Sequence, residues 1–361
     1  MCPQCSSSPL ILIGMRVAAV LSAPGLKSNG EKSFMKKALL CLSSLALLAF
    51  AIPQPLRADS VRTTVAIGSS SVGVAANPAT NKIYVAAEDT GQVVVINGTT
   101  QQVTARIDIG RDEHSVAVNV FTNRVYATSC NSATALCSIA VIDGKTDTLI
   151  TTIPVSSDTA IGLQGLAVNP VTNRIYASDA DNGQYIVIDG KTNIVITRVS
   201  VFTQPAGVAV NPKTNRLYVV GGGFPGEILV FDASTNAQIA TIPEDFGVEN
   251  IAVNFRLDRA YVTQGAENTL VVADGATNQN ITQVPTGDFP DAVDVNLENN
   301  KIYVTNGRGL SVTIIDGNTY QVLQTLPVPA RFPGGVAVNQ ATGLVYVGDF
   351  GSNNVVVLQP N

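Results

Sequence analysis

His114 is the only histidine in the 361-residue chain, so any acid–base or metal chemistry that needs an imidazole must run through it. It closes the run Gly110-Arg111-Asp112-Glu113-His114, just before the apolar segment Ser115-Val-Ala-Val-Asn119. Six similar segments are preceded, at the same place, by Val72, Gln164, Ala206, Glu249, Asp291 and Gly334. Four of these seven positions are polar. An imidazole and two carboxyls are the parts of an acid–base pair, with His114 as acid or base and Glu249 or Asp291 as its partner or as a metal ligand. With Arg111 and Arg331 on the equivalent connections, His114, Gln164, Glu249 and Asp291 make up the candidate ligand-binding set. The alternative for the same residues is a solvated rim. No cofactor is required by them, although a divalent metal fits.

Other chemistries lack their residues. A single His excludes multi-histidine zinc or copper sites built by this chain alone. There is no Cys-x-x-Cys-His for covalent haem, no Gly-x-Ser-x-Gly elbow and no phosphate-binding Gly-x-x-x-x-Gly-Lys-Ser/Thr loop. Cys2-Pro-Gln-Cys5 has neither a second pair nor a following His. Asp179-Ala-Asp181-Asn-Gly183 opens like a calcium loop but lacks the downstream Glu, and reads as a hairpin turn.

The elements that must carry these residues repeat. Tyr84, Tyr126, Tyr176, Tyr218, Tyr261, Tyr303 and Tyr346 recur about every 43 residues in one frame. A run such as Gly207-Val-Ala-Val-Asn211 comes first, then a Thr-Asn-Arg/Lys turn and an apolar–Tyr–apolar run such as Lys301-Ile-Tyr-Val. A third run ends in Asp-Gly, as in Ile186-Val-Ile-Asp189-Gly, and a fourth is of the type Thr152-Ile-Pro154. Four short β-branched runs separated by Asn, Gly, Asp and Pro describe a four-stranded antiparallel sheet. Seven such sheets describe an all-β, seven-bladed β-propeller. The last repeat lacks its fourth strand, and Val61-Arg-Thr-Thr-Val-Ala-Ile-Gly68 matches that pattern, so the N-terminal strand (about 61–68) is expected to complete the last blade. The charged fraction, 14% against roughly 25% in average domains, fits blades packed face to face.

Repetition also sorts the residues. Asn77, Asn119, Asn169, Asn211, Asn254, Asn296 and Asn339 occupy one position in every repeat and are expected to fold back onto turn backbone. Asp143, Asp189, Asp232, Asp274 and Asp316 end third strands and are assigned the same kind of turn role. A site belongs where the repeats differ, and the first strand of a propeller blade is innermost. The seven positions before the first strands should therefore meet around the mouth of the central channel. Cys130 and Cys137 fall in a longer hairpin of the second repeat, and in an oxidising compartment they are expected to form a disulfide.

Tyr303-Val304-Thr305-Asn306 is the tetrapeptide that names the YVTN β-propeller repeat family, with Tyr261-Val-Thr-Gln and Tyr218-Val-Val-Gly as near copies. The chain resembles that family over about residues 60–361. The resemblance implies an exported bacterial or archaeal propeller, similar to YncE-like periplasmic proteins for which DNA binding has been proposed. Related propellers include surface-layer modules, quinoprotein-type dehydrogenase subunits and lyases of the streptogramin-lyase type.

Met35-Lys-Lys, the apolar stretch Ala38 to Ile52 and the segment ending at Ala58 follow the order of a secretory signal peptide, 35–58, too short and wrongly flanked for a transmembrane helix. Residues 1–34 read as an upstream extension from a misplaced start, and 59–361 as the propeller. Residues 1–58 hold six of the 22 Lys and Arg but one of the 27 Asp and Glu, so the remainder carries a formal charge near −10. That charge disfavours nucleic acid. The expected protein is a periplasmic or extracellular monomer, a non-catalytic binding or scaffold module for a protein, polysaccharide or small-molecule ligand. The competing reading is an enzyme, either a metal-assisted lyase or hydrolase through His114 or a dehydrogenase-like subunit.

Overall fold

A run such as Gln92-Val-Val-Val-Ile-Asn97 has apolar residues at consecutive positions, so a strand made of it must be covered on both faces. In the computed structural model Val93, Val94, Val95 and Ile96 are all fully buried. The structure describes residues 58–361 apart from 111–114, 132–135, 156–161, 203, 222–225 and 245–246. The expectations for residues 1–57 lie outside the described residues.

Seven antiparallel sheets of four strands form the propeller expected from the repeats. In chain order, the inner strands of blades 1 to 7 are Ser71–Asn77, Val116–Asn119, Leu163–Asn169, Pro205–Asn211, Val248–Asn254, Pro290–Val295 and Pro333–Val338. Middle strands are continuously buried, whereas outer strands such as Gln102–Asp108 alternate between exposed and covered residues. The core therefore lies between blades. Tyr84, Val93 and Val95 of blade 1 pack with Val116, Val125 and Ile142 of blade 2, and each fully buried Val or Ile contributes about 1.5–3 kcal/mol.

The ring closes as the pattern of residues 61–68 required. Ser60–Ala66 pairs antiparallel with Asn354–Gln359 and supplies the outer strand of blade 7. Just before it, the buried Asp59 carboxylate accepts from Lys301 Nζ (2.7 Å), Tyr303 Oη (3.1 Å) and the Asn361 amide (3.0 Å). Tyr84, Tyr176, Tyr261 and Tyr346 make comparable links, whereas the buried Tyr126 hydroxyl has no described partner. Tyr176 Oη donates to the Ala233 carbonyl of the next blade, and Gln101 Nε2 of blade 1 donates to Tyr346 Oη of blade 7.

The repeated Asn residues fold back as expected: Asn254 Oδ1 accepts the Arg256 and Leu257 amides at 3.0 and 3.3 Å. Their amide groups also reach outward. Asn254 Nδ2 donates to Asn300 Oδ1 in the next blade at 2.8 Å, and six blade junctions carry this bond. The acceptor residue is left-handed in each turn (φ 56° at Asn300), a conformation Asn and Asp tolerate. At the junction of blades 6 and 7 that residue is Gly343, and Gln340 substitutes by donating to the Val295 carbonyl and accepting the Leu297 amide. In blade 2, Cys130 and Cys137 face each other across the long hairpin and are joined as a disulfide. Asp179 forms the expected turn, accepting from Asn182 and Gln184.

Candidate ligand site at the channel mouth

The inner strands begin with a break in their ladders. In blade 5 Val248 pairs with Gln264 and Ile251 with Val262, which leaves Glu249 and Asn250 without partners across the sheet. The same shift frees Val72–Gly73, Gln164–Gly165, Ala206–Gly207, Asp291–Ala292 and Gly334–Gly335. A bulge re-aims the side chain it releases. Val72, Gln164, Ala206, Glu249 and Asp291 all line a central cavity of about 420 Å³. Neighbouring bulges approach so closely that a Cβ on Gly335 would stand 2.1 Å from the Val72 carbonyl oxygen, and one on Gly165 2.6 Å from that of Ala206.

Hydroxyls from the second strands fix this ring. Thr263 Oγ1 accepts the Asn250 amide of its own blade and donates to the Asp291 carbonyl of the next, both at 3.0 Å. Thr305 Oγ1 accepts the Ala292 amide (3.0 Å) and donates to the Gly334 carbonyl (2.6 Å). Ser178 bridges Gly165 and Ala206 in the same way, and Thr128 accepts the Ser115 amide. These are the residues two beyond the repeat tyrosine. Blades 2, 3, 5 and 6 carry the hydroxyl, and theirs are the polar mouth positions His114, Gln164, Glu249 and Asp291. Blades 1, 4 and 7 have Ala86, Val220 and Gly348 instead, with Val72, Ala206 and Gly334 at the mouth.

The acidic residues cluster on adjacent blades. Burial, together with the neighbouring Glu249 charge, pushes the Asp291 carboxyl up to about 6. Burial raises Glu249 as well. A third carboxyl, Asp294, lines the cavity at a position where the other six blades have Ala75, Ala117, Ala167, Ala209, Ala252 and Ala337. It accepts the Val338 amide of blade 7 at 2.7 Å and the Val295 amide at 2.8 Å. Burial still pushes it up to about 6. Asp294 belongs to no motif, but one Asp among six Ala is the kind of difference between repeats that marks a site.

The structure thus brings Gln164, Glu249 and Asp291 to one cavity. His114 and Arg111 lie outside the described residues, although Ser115, next in the chain, lines the cavity. Arg331 is exposed and lies outside the cavity lining: its amide and that of Phe332 donate to Asp349, and its stem runs past Gly351. Among the described residues no group of three or more His, Cys, Asp or Glu stands close enough to hold a metal ion.

These features define a seven-bladed propeller with an asymmetric, acidic channel mouth. Compared with family models and with curated proteins, the chain matches none. No helix among the described residues is long and apolar enough to cross a membrane.

Proposed function

We propose that this chain is a non-catalytic binding propeller that takes a small ligand into the mouth of its central channel. The observation that carries the reading is the coincidence of two maps: the cavity lies where the bulges re-aim side chains, and there the repeats differ most in chemistry. Its volume of about 420 Å³ falls within the usual range for small-molecule sites, roughly 300–1,000 Å³. The YVTN-like tyrosine frame supplies the rigid ring, and membership of that family remains part of the proposal. Nucleic acid is disfavoured by the formal charge and by the acidic lining.

The test is a fragment screen followed by methyl NMR, with cationic, neutral and anionic fragments in equal numbers. Bound fragments are expected to shift Val72, Leu166, Val208 and Val336, which line the cavity. Fragments that shift only outer-strand methyls, or no fragment binding at all, would overturn the reading.

Export belongs to the same proposal, with residues 35–58 as a signal peptide cleaved after Ala58. The engagement of Asp59 by Lys301, Tyr303 and Asn361, and of the Ala58 carbonyl by Asn361 Nδ2, supports a cleavage point close to Ala58, because the folded ring uses the chain from about there onward. Mass spectrometry of the protein recovered outside the cytoplasm should give a chain starting at Asp59 with Cys130 and Cys137 oxidised. A chain retaining residues 35–58, or two free thiols, contradicts it.

A further inference from the structure

We infer that the channel ligand is an organic ammonium ion with an apolar body, its charge seated at Asp291 and Glu249. The inference rests on the channel-binding reading above and adds the chemical class.

Glu249, Asp291 and Asp294 are the ionisable side chains among the described lining residues, and no Lys or Arg accompanies them. Asp294 is already met by two backbone amides. Asp291 and Glu249 differ: neither carboxylate has a hydrogen bond or an ion pair to a described residue. Asp291 is nonetheless half-buried, with its open side toward the channel. A half-buried, unpaired carboxylate is unfavourable in a folded chain, and a cation entering from the channel would complete it. Space is kept for one. Asp291 Oδ2 stands 3.3 Å from where a Cβ on Gly334 would be, so any side chain at 334 would crowd the carboxyl.

The surroundings select the kind of cation. Divalent ions such as calcium take six to eight oxygen ligands, whereas among the described residues no three carboxylates stand close enough to share one, and the lining mixes Ser115, Gln164 and Asn250 with aliphatic residues such as Val72. The rim beside the acids is aromatic. Phe289 and Glu249 both come within 3.4 Å of the position a Cβ on Gly265 would take, and Phe289, Phe332 and Phe350 follow one another at centroid distances of 6.0 and 6.4 Å. The Arg308 guanidinium lies 4.4 Å from the Phe289 centroid, so this rim already accepts a cation on a ring face. A weakly hydrated ammonium with a hydrocarbon body meets both the carboxylates and the walls.

Ligand charge must also couple to pH. Among the described residues Glu249 from blade 5 is the charged group facing Asp291, Asp294 follows on its own strand, and blade 7 presents Gly334. A cation needs the carboxylates ionised, so affinity should fall as pH drops.

The experiment titrates the purified protein with n-butylammonium and 2-phenylethylammonium, with 2-phenylethanol, phenylacetate and calcium as contrasts. It is run by calorimetry and methyl NMR on wild type, Asp291→Asn, Glu249→Gln and the double variant. Expected are ammonium binding with Kd of about 1 mM or tighter, a loss of at least about tenfold in Asp291→Asn, a further loss in the double variant, and about tenfold weaker binding at pH 5 than at pH 7.5. Thermal melts of each variant establish that the ring is intact. Binding of the alcohol or phenylacetate as strong as the ammonium, calcium binding lost on Asp291→Asn, or ammonium binding unchanged in the double variant would each overturn the inference. If neutral or anionic fragments occupy the channel and ammonium ions do not, the binding reading stands and the chemical class falls. If nothing enters the channel, both fall.

Discussion

Two sets of carboxylates sit at opposite ends of the blades, and their environments are inverted. At the turns after the third strands, Asp189 accepts the Lys191 and Thr192 amides at 2.7 and 3.1 Å, and Asp274 the Ala276 and Thr277 amides at 2.8 and 2.9 Å. These bonds hold both carboxyls below the ordinary aspartate range. At the channel mouth Asp291 and Glu249 have no such donors among the described residues, and burial drives them upward. Residue type alone therefore says little about role. A carboxylate that recurs from blade to blade is consumed by its turn, whereas among those found in a single blade Asp294 is met by two backbone amides and Asp291 and Glu249 have no hydrogen bond to a described residue.

The contrast can be attacked with substitutions, beginning with the repeated frame. Asn254→Ala removes a buried link between blades and leaves two amides and Asn300 Oδ1 short of partners. It should cost about 3 kcal/mol, a fall in Tm of about 6 °C for a domain of this size, while ammonium affinity per folded molecule stays unchanged. A Tm within about 1 °C of wild type would show that the frame does not depend on this ring.

Thr263→Val comes next, because it takes the hydroxyl from between Asn250 and Asp291. A cost of about 2 kcal/mol is expected together with weaker ammonium binding, and Thr263→Ser should restore both. Loss of stability with unchanged binding would separate the hydroxyl from the site.

Asp291→Asn should act in the opposite direction. The folded carboxyl titrates near 6 and the unfolded one near 3.9, so the folded state holds the proton more tightly and loses stability as pH rises between those values. Replacement should raise stability by about 1–2 kcal/mol at pH 7.5, with the gain vanishing below about pH 4. Chemical denaturation at the two pH values measures it, and equal effects at both would contradict the burial argument.

The smallest effect belongs to Asp189→Asn. Its folded carboxyl is depressed, so its contribution is present above the unfolded value and lost as pH falls through the folded one. Because the group is solvated, a Tm decrease of about 1 °C or less at pH 7, absent at pH 2, is expected. A gain in stability would erase the distinction between the two ends.

Much of the fold was legible because both-face burial forces continuous Val and Ile runs, and because residues 61–68 repeat the outer-strand pattern missing from blade 7. The Asn turns were legible as local chemistry. Their bonds to the next blade were not, since a contact between repeats leaves no mark within one. The mouth position could be read from the differences among repeats; Gly73, Gly165, Gly207 and Gly335 also signal a break in four of the bulges, whereas Glu249-Asn250 and Asp291-Ala292 carry no such mark. Arg331 is absent from the cavity lining, and its amide is tied to Asp349. Asp294 and the match between second-strand hydroxyls and polar mouth residues were both present in the sequence. The hydroxyl match acquires meaning only when Thr263 and Thr305 are seen bridging successive bulges.

The most direct measurement is a carboxyl-detected NMR titration of the intact protein, following Asp291 and Asp189 in the same sample. Asp291 should titrate at about 6 and move downward when an ammonium ligand is added, while Asp189 stays below the ordinary aspartate range and ignores the ligand. Titration of both groups at the ordinary value, or a ligand response at Asp189 and none at Asp291, would contradict the division between frame and site.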